Sequence, residues 1–524
     1  MKYEKVQHFK KIDRRRIGLF LLILTGVFAR VFLFGSIPDG LNQDEAFAGY
    51  EAWNILTTGH DTMGYFYPLY LFTNGGGMNA LETYLMIPFM AVFGPQDWVI
   101  RVPQVIVAIV SLPAVYGVTR RIYCERVGLW AALLVAWSPW HIMLSRWGLE
   151  SNLAPGMLLF GMYFFLRGLE KKRYYIISAL MYGLALYSYA MVWLYVPVIL
   201  FVSVGYLILE KRLYWNDKVL WACIAIVGIM TIPLALVVLV NYGYIGEVST
   251  RFFSIPKLDF LRTNQTSGYT IWQNAVNLCG ILFLQTDGLI WNCVDGYGLY
   301  YPIGVLFILI GTAGTIRSFC SKCRRKEFAP ELFVLLQFLC GVISGLISHV
   351  NVNRINIIFL PMLIMGGYGI EIFCRRLGEI RPRLRSIIPV LVLVVYAACF
   401  VSFERFYFVE YRQDSSAAFD AGLKEALQEA AGSGKTIHVN KSGIYPKVLY
   451  YLQMPVDEYI ATRVFSDWHP MPQSAGNLYF DMGNAVPNKN GVFILEAGAD
   501  LKSFEDAGFE VKQYGSCSYV YYPE

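Results

Sequence analysis

IGLFLLILTGVFARVFLFGSI, residues 17–37, runs directly into PDGLNQDE, residues 38–45. The first part is an apolar run long enough to cross a bilayer core, which takes roughly 17–25 residues per helix. It is too long for a signal-peptide core and has no small-x-small cleavage site, so it reads as a retained first helix behind the basic segment Met1–Arg16. The second part sets two acids, Asp44 and Glu45, a few residues past the end of that helix. Carboxylates at a membrane boundary are costly to place, and such a position points to chemistry.

The rest of the chain fits that opening. Hydrophobic residues make up 56% of the 524 and charged ones only 16%, well outside the soluble norm. The net charge of +6 comes from small basic clusters between apolar runs, where it orients helices and implies no nucleic-acid partner. Apolar runs near spanning length occur at about 17–37, 99–118, 127–144, 153–169, 174–190, 192–209, 219–240, 299–316, 332–348, 355–374 and 386–403. The expectation is therefore a polytopic α-helical membrane protein with about 11 transmembrane helices. Basic clusters at Arg14–Arg16, Arg120–Arg126, Lys171–Arg173, Lys211-Arg212, Lys322–Lys326 and Arg375–Arg385 fall on alternate connections. By the positive-inside rule these are cytoplasmic, which puts the N-terminus inside the cell membrane and the C-terminus outside it.

Three segments on the outer side are large: 38–98, 241–298 and the tail from Glu404. Within the first, Ala80–Phe93 is apolar but too short to span, and Phe47, Tyr50 and Trp53 recur at helical spacing. Both stretches read as interfacial helices. The tail turns globular, with helical spacing over Ser415–Ala431 and a short helix over Asp500–Ala507. Strand patterns fall at Thr436–Asn440, Gly491–Leu495, Phe509–Gln513 and Ser518–Tyr522. The chain thus divides into a transmembrane part, residues 1–403, and an extracytoplasmic α/β domain, residues 404–524.

Three motifs carry little. Gly432-Ser433-Gly434-Lys435-Thr436 resembles the end of a phosphate loop, but Glu429 stands where its first glycine belongs, and the order is helix to strand. It reads as a helix C-cap and turn. Gly75-Gly76-Gly77 reads as a loop tip. Cys320 and Cys323 have metal-finger spacing without a second ligand pair, and zinc takes four ligands. The ten cysteines are scattered and suggest no disulfide framework.

The remaining charges at the outer boundary are few. Arg101 opens the second span, Arg146 and Glu150 lie in the turn after the third, and His349 and Arg354 flank the turn between the ninth and tenth. Glu82, on the short interfacial stretch, joins Glu150 and His349 as candidates around an acceptor. Each has a plainer reading. Asp97 could pair with Arg101, Glu150 with Arg146 one helical turn away, and Asp44 could simply cap the helix that follows it. Taken together, a carboxylate beside several arginines suits transfer of a group from a lipid phosphate. The acid accepts the nucleophile's proton, and the guanidiniums hold the leaving phosphate.

This arrangement resembles the C-type membrane glycosyltransferases that use polyprenyl-phosphate sugars, in the branch of the protein O-mannosyltransferases and aminoarabinose transferases. The resemblance rests on the acidic pair in the first external loop, on Leu81–Gly94 followed by Arg101-Val102-Pro103, on Ser138-Pro139-Trp140-His141 with Ser145-Arg146, and on Arg354 ahead of Pro361. It covers roughly residues 15–375. It implies the fold of that class and inverting, mannosyltransferase-like transfer of a sugar to an extracytoplasmic acceptor such as a protein, lipid or cell-envelope polymer. Asp44 then matches the catalytic base and Glu45 its neighbour, while Arg146 and Arg354, with Arg101, match positions linked to the donor phosphate. Met78-Asn79-Ala80-Leu81 stands where the aminoarabinose branch carries a Lys before Pro-Pro-Leu. No organic cofactor is implied. Two adjacent acids leave room for a divalent cation but make a thin site for one. The competing classes are a transporter or lipid carrier, which calls for acids within the spans and repeat symmetry, and a non-catalytic partner in cell-envelope assembly.

Overall fold

The computed structural model describes residues 14–73, 75–260, 269–440, 442–466, 469–480, 486–496 and 498–523. The basic N-terminal segment up to residue 13 lies outside the described residues. Each of the eleven apolar runs falls on helix. Among the described residues six helices are long and apolar enough by themselves to cross a membrane: Val102–Ile122, Val192–Leu209, Lys218–Asn241, Pro302–Arg324, Asn356–Ile380 and Ile387–Val409. Burial grades them, from 78% of the apolar window in Asn356–Ile380 to 17% in Lys218–Asn241, so the former is the centre of the bundle and the latter its rim.

The run at 127–144 is broken. Its helix stops at Trp137, and Ser138 caps a second short helix, Pro139–Leu144, with Pro at the first position. Pro139 has no N–H, so the carbonyl of Val135 loses the partner four residues on. Arg30 repairs this from the first helix, Arg14–Val31, by donating to the carbonyls of Val135 (3.1 Å) and Ala136 (3.0 Å). A further apolar helix, Ile271–Leu284, opens with a Thr270/Gln273 capping box in the segment read as an external connection. It packs on Glu331–Ile347, where the Asn274 amide donates to the Leu346 carbonyl.

The closest helix approach is set by glycine. A Cβ on Gly311 would fall on the carbonyl of Met365, and one on Gly369 on the carbonyl of Phe307, so Pro302–Arg324 and Phe359–Ile380 meet backbone to backbone. Gly369→Leu is expected to force these helices apart and cost about 1–3 kcal/mol, read as a lower melting temperature in detergent; an unchanged melting curve would contradict the close contact.

In the segment 38–98 the Gln43–Thr58 and Leu81–Phe93 helices form as expected. The triple glycine is part of a hairpin, Tyr70–Thr73 with Gly76–Asn79. Gly77 sits against the Tyr70 ring, which leaves no room for a Cβ. Toward the C-terminus lies a seven-stranded sheet in the order Glu510–Tyr514, Cys517–Tyr521, Gly491–Glu496, Thr436–Val439, Leu478–Phe480, His469–Ala475, Val464–Ser466. The three strands from Gly491–Glu496 to Leu478–Phe480 are parallel. The four strand patterns read from sequence are all present, whereas the Ser415–Ala431 helix is reduced to Leu423–Gly432. Gly422 at φ +87° and Asp420 at φ +51° interrupt it, and a side chain at Gly422 would strike the Tyr514 carbonyl. After that helix come Gly434 at φ +66° and a strand, as the turn reading of Gly432–Thr436 requires.

Composition changes at residue 404, but the last long helix continues to Val409 and packing continues further. Leu41, Phe47, Tyr50 and Met86 of the segment 38–98 share one core with Leu427, Val448 and Val492 of the sheet region. The Tyr50 hydroxyl donates to the Met454 carbonyl at 2.7 Å. The C-terminal part is therefore seated directly on the helix that carries the acidic pair.

Candidate active site

Asn42 starts the Gln43–Thr58 helix. Its side-chain oxygen accepts from the Asp44 N–H, and Glu45 reaches back to the Asn42 N–H at 2.8 Å, a reciprocal capping box. Asn42 is thus the cap, and both acids lie in the first turn, where the helix dipole favours negative charge. The two acids then diverge.

Glu45 is fully buried. One carboxylate takes Arg101 Nε at 2.8 Å, Arg101 Nη2 at 3.2 Å, the Gly148 N–H at 2.7 Å and the Asn42 N–H. Arg101, also fully buried, spends its other donors on the carbonyls of Pro38 and Gly40. Asp97 pairs instead with Lys424 from the C-terminal part, at 3.4 Å. The Glu45–Arg101 pair therefore ties four segments together.

Asp44 is exposed and lines a cavity of about 420 Å³. Its walls include Trp147, Trp291, Asn351 and Asn353, and from the C-terminal part Asp420 and Lys447, which form a buried ion pair. Amide side chains, indole faces and fixed charges around a carboxylate make a lining suited to a polar ring with several hydroxyls.

The other expected site residues are placed as follows. Arg146 is fully buried and does not line the cavity. Its guanidinium donates to the carbonyls of Ala29, Arg30, Phe32, Leu33 and Ile37, the end of the first helix and the turns leading to Asp44, and lies over the rings of Tyr407 and Phe408. With Arg101 also committed, the expectation that these two arginines face a phosphate is corrected: each has its donors spent on protein oxygens. Arg354 is half-buried beside Asn351 and Asn353 of the cavity wall. Among the described residues its guanidinium makes one hydrogen bond, 3.4 Å to the His349 carbonyl, and has no carboxylate partner. His349 is exposed against the Tyr269 ring and does not line the cavity. Glu150 is buried and accepts from the backbone and side chain of Asn79, so it anchors the hairpin instead of pairing with Arg146.

Glu82 is buried beneath the site, accepting from Gln104 at 3.0 Å. Burial, helped by the nearby charges of Glu45 and Glu150, pushes its carboxyl up to about 8. Because the folded state holds this proton more tightly than the unfolded chain, stability from this group is present below the ordinary carboxyl range and is lost as pH rises toward 8. Glu82→Gln should flatten the fall in melting temperature between pH 5 and pH 8; a slope unchanged by the substitution would contradict the buried neutral acid.

Lys447, Asp420, Trp147 and Trp291 were not singled out in the sequence, and neither was Arg30, whose lone charge inside the first apolar run was the available signal. Arg30 is fully buried with a donor 2.7 Å from His141 Nδ1. Glu404, placed by composition after the last span, lies inside the Ile387–Val409 helix and interacts electrostatically with Arg30 and Arg146. Among the described residues no group of three or more His, Cys, Asp or Glu is placed to hold a metal ion, and no disulfide joins the cysteines.

An acid in the first turn of the helix that follows the first apolar helix, beside a cavity that Ala418, Asp420 and Lys447 of the C-terminal part help to wall, is set in the fold of the C-type membrane glycosyltransferases. The chain matches the structure of ArnT from Cupriavidus metallidurans over 97% of its own length and 99% of that chain, with a TM-score of 0.57 at 12% identity. The same values hold for that protein bound to undecaprenyl phosphate. An oligosaccharyltransferase from Archaeoglobus fulgidus tethered to an acceptor peptide with the NVT sequon matches over 84% of this chain and 63% of its own, with a TM-score of 0.50 at 13% identity. Residues 81–236 carry the sequence pattern of the family described as dolichyl-phosphate-mannose-protein mannosyltransferase. No curated protein matches the chain by sequence.

Proposed function

We propose that the protein is an inverting glycosyltransferase that moves a sugar from a polyprenyl-phosphate carrier to an extracytoplasmic acceptor. The observation that carries this reading is the division of labour in the acidic pair: Glu45 is consumed by Arg101 and two backbone donors, while Asp44 stands exposed in the cavity. Asp44 takes the proton of the acceptor's hydroxyl or amine as that atom bonds to the anomeric carbon. The bond from that carbon to the phosphate oxygen breaks on the opposite face, and the phosphate leaves with the electron pair. Arg354, beside the cavity wall and without a carboxylate partner among the described residues, is the cation that can meet the charge it carries. Arg146 and Arg101 act at a distance, holding the chain on either side of residues 38–42.

The family pattern over residues 81–236 supports this reading, and mannose is the sugar its description names. ArnT bound to undecaprenyl phosphate supports a lipid-phosphate donor, and the oligosaccharyltransferase with its tethered peptide supports an external acceptor. In the proposed topology all eleven apolar runs cross the membrane, the N-terminus is cytoplasmic, and residues 404–524 lie outside and complete the cavity. The test is transfer from radiolabelled polyprenyl-phosphate sugars in proteoliposomes. Transfer by the parent that Asp44→Asn removes supports the reading. Undiminished transfer by that variant overturns the base assignment, and flipping of lipid or solute without transfer by the parent favours a carrier.

A further inference from the structure

A second ligand-sized space lies at the other end of the bundle. The Arg14–Val31, Glu125–Trp137, Phe359–Ile380 and Ile387–Val409 helices enclose a groove of about 970 Å³ that includes Gly18, Leu21, Leu133, Trp137 and Leu393. It is not the cavity of Asp44. Gly18 lies in the second turn of the first helix, whereas Asp44 follows that helix's far end.

The groove is polarised. Arg126, Arg375 and Arg385 line one end with a single acid, Glu371, while Leu21, Leu133 and Leu393 line the shaft. The ion pairs that would quench those cations are weak: Arg126 is 4.0 Å from Glu371, and Arg375 is 3.8 Å from Glu379, which also serves Arg376. Arg385 has no carboxylate partner among the described residues. Its position is set by Gly378, where a Cβ would lie 3.1 Å from Arg385 Cγ and 3.3 Å from its Cα, so a larger residue would push the returning turn away. Two indoles, Trp130 and Trp137, also line the wall.

The length of the shaft selects the occupant. Arg126 and Trp137 are eleven residues apart on one helix, about 16 Å at 1.5 Å per residue. That is close to half of a hydrocarbon core of about 30 Å, the depth of one leaflet. A fork of guanidiniums at the surface and an apolar shaft ending at the midplane match a phosphodiester headgroup with an acyl chain below it. A polyprenyl chain would run well past the end of such a shaft.

We propose that this groove is a binding site for one anionic glycerophospholipid of the leaflet on the side of the basic connections, separate from the cavity of Asp44. The phosphodiester sits among Arg126, Arg375 and Arg385, and one chain lies along the first helix beside Gly18.

The experiment uses the full-length protein in detergent, with dioleoyl phosphatidylglycerol and dioleoyl phosphatidylcholine as probes. Native mass spectrometry should show one phosphatidylglycerol retained in preference to phosphatidylcholine, and retention should weaken about fivefold for each of Arg126→Gln, Arg375→Gln and Arg385→Gln. A Cβ at Gly18 meets nothing within 4 Å, so Gly18→Phe can fill the groove without displacing the bundle and should abolish retention. If a variant does not fold, the parent alone decides: phosphatidylglycerol should raise its melting temperature saturably near an equimolar ratio, phosphatidylcholine should not, and added undecaprenyl phosphate should not displace the bound lipid. Equal retention of both lipids, retention unaffected by Gly18→Phe, or displacement by undecaprenyl phosphate would overturn the proposal.

Discussion

Asp44→Asn is expected to lower the turnover of sugar transfer by about 10²–10⁴-fold, the range that a positioned general base contributes, without unfolding the protein. The side chain is exposed, and its backbone N–H, which Asn42 caps, is untouched by the substitution. Losing one negative charge from the first turn of the helix, where the dipole favours it, should cost about 0.3–1 kcal/mol. An amide of the same size keeps the cavity's shape but cannot accept the acceptor's proton, so the loss should appear in turnover and leave donor affinity largely intact. Transfer rates at saturating donor, set beside melting curves of the same preparations, check both halves. A variant that melts early would make the loss one of folding.

The opposite result is expected one residue along. Glu45→Ala leaves the fully buried Arg101 guanidinium without its counter-charge and strands the N–H groups of Asn42 and Gly148. Breaking a buried ion pair from one side costs about 3–5 kcal/mol, and here the pair also joins the start of the Gln43–Thr58 helix to residues 38–40 and 148. The expected outcome is a large drop in melting temperature, with activity lost in proportion to folded protein. Replacing both partners, as in Glu45→Met with Arg101→Met, should cost less than the sum of the two single substitutions, because no charge is left buried alone. A Glu45→Ala protein of parental stability that had lost transfer would instead put Glu45 among the reacting groups.

The contrast between these neighbours marks the limit of what the sequence could tell. Asp44 was legible because an acid just past an apolar run is conspicuous by itself. The role of Glu45 was not, since its partners Arg101 and Gly148 lie 56 and 103 residues away and only the fold brings them together. Arg146 was found as a charge at the outer boundary, but its partners are backbone carbonyls, which leave no trace in a side-chain pattern. The same holds for Arg30, which makes good the N–H that Pro139 lacks. Lys447 and Asp420 sit in a segment that composition sets apart from the helices, so nothing local connects them with Asp44. Runs of sufficient length announced the helices well, and Ile271–Leu284 was passed over because fourteen residues fall short of a span.

The two kinds of arginine near Asp44 make the site intelligible physically. Arg101 and Arg146 are immobilised and spend their charge on architecture. Arg354 keeps its guanidinium without a carboxylate partner among the described residues, next to two asparagines of the cavity wall. A guanidinium held in this way can meet a phosphate without first breaking an internal ion pair, which lowers the cost of binding it.

The measurement that bears most directly on Asp44 as the base is a structure of the protein in a lipid nanodisc with a polyprenyl-phosphate sugar, trapped by Asp44→Asn. The account predicts sugar density in the cavity between Trp147, Trp291 and residue 44, with the anomeric carbon facing residue 44 and the phosphate turned toward Arg354. Sugar and phosphate bound elsewhere, with the cavity beside residue 44 empty, would contradict it.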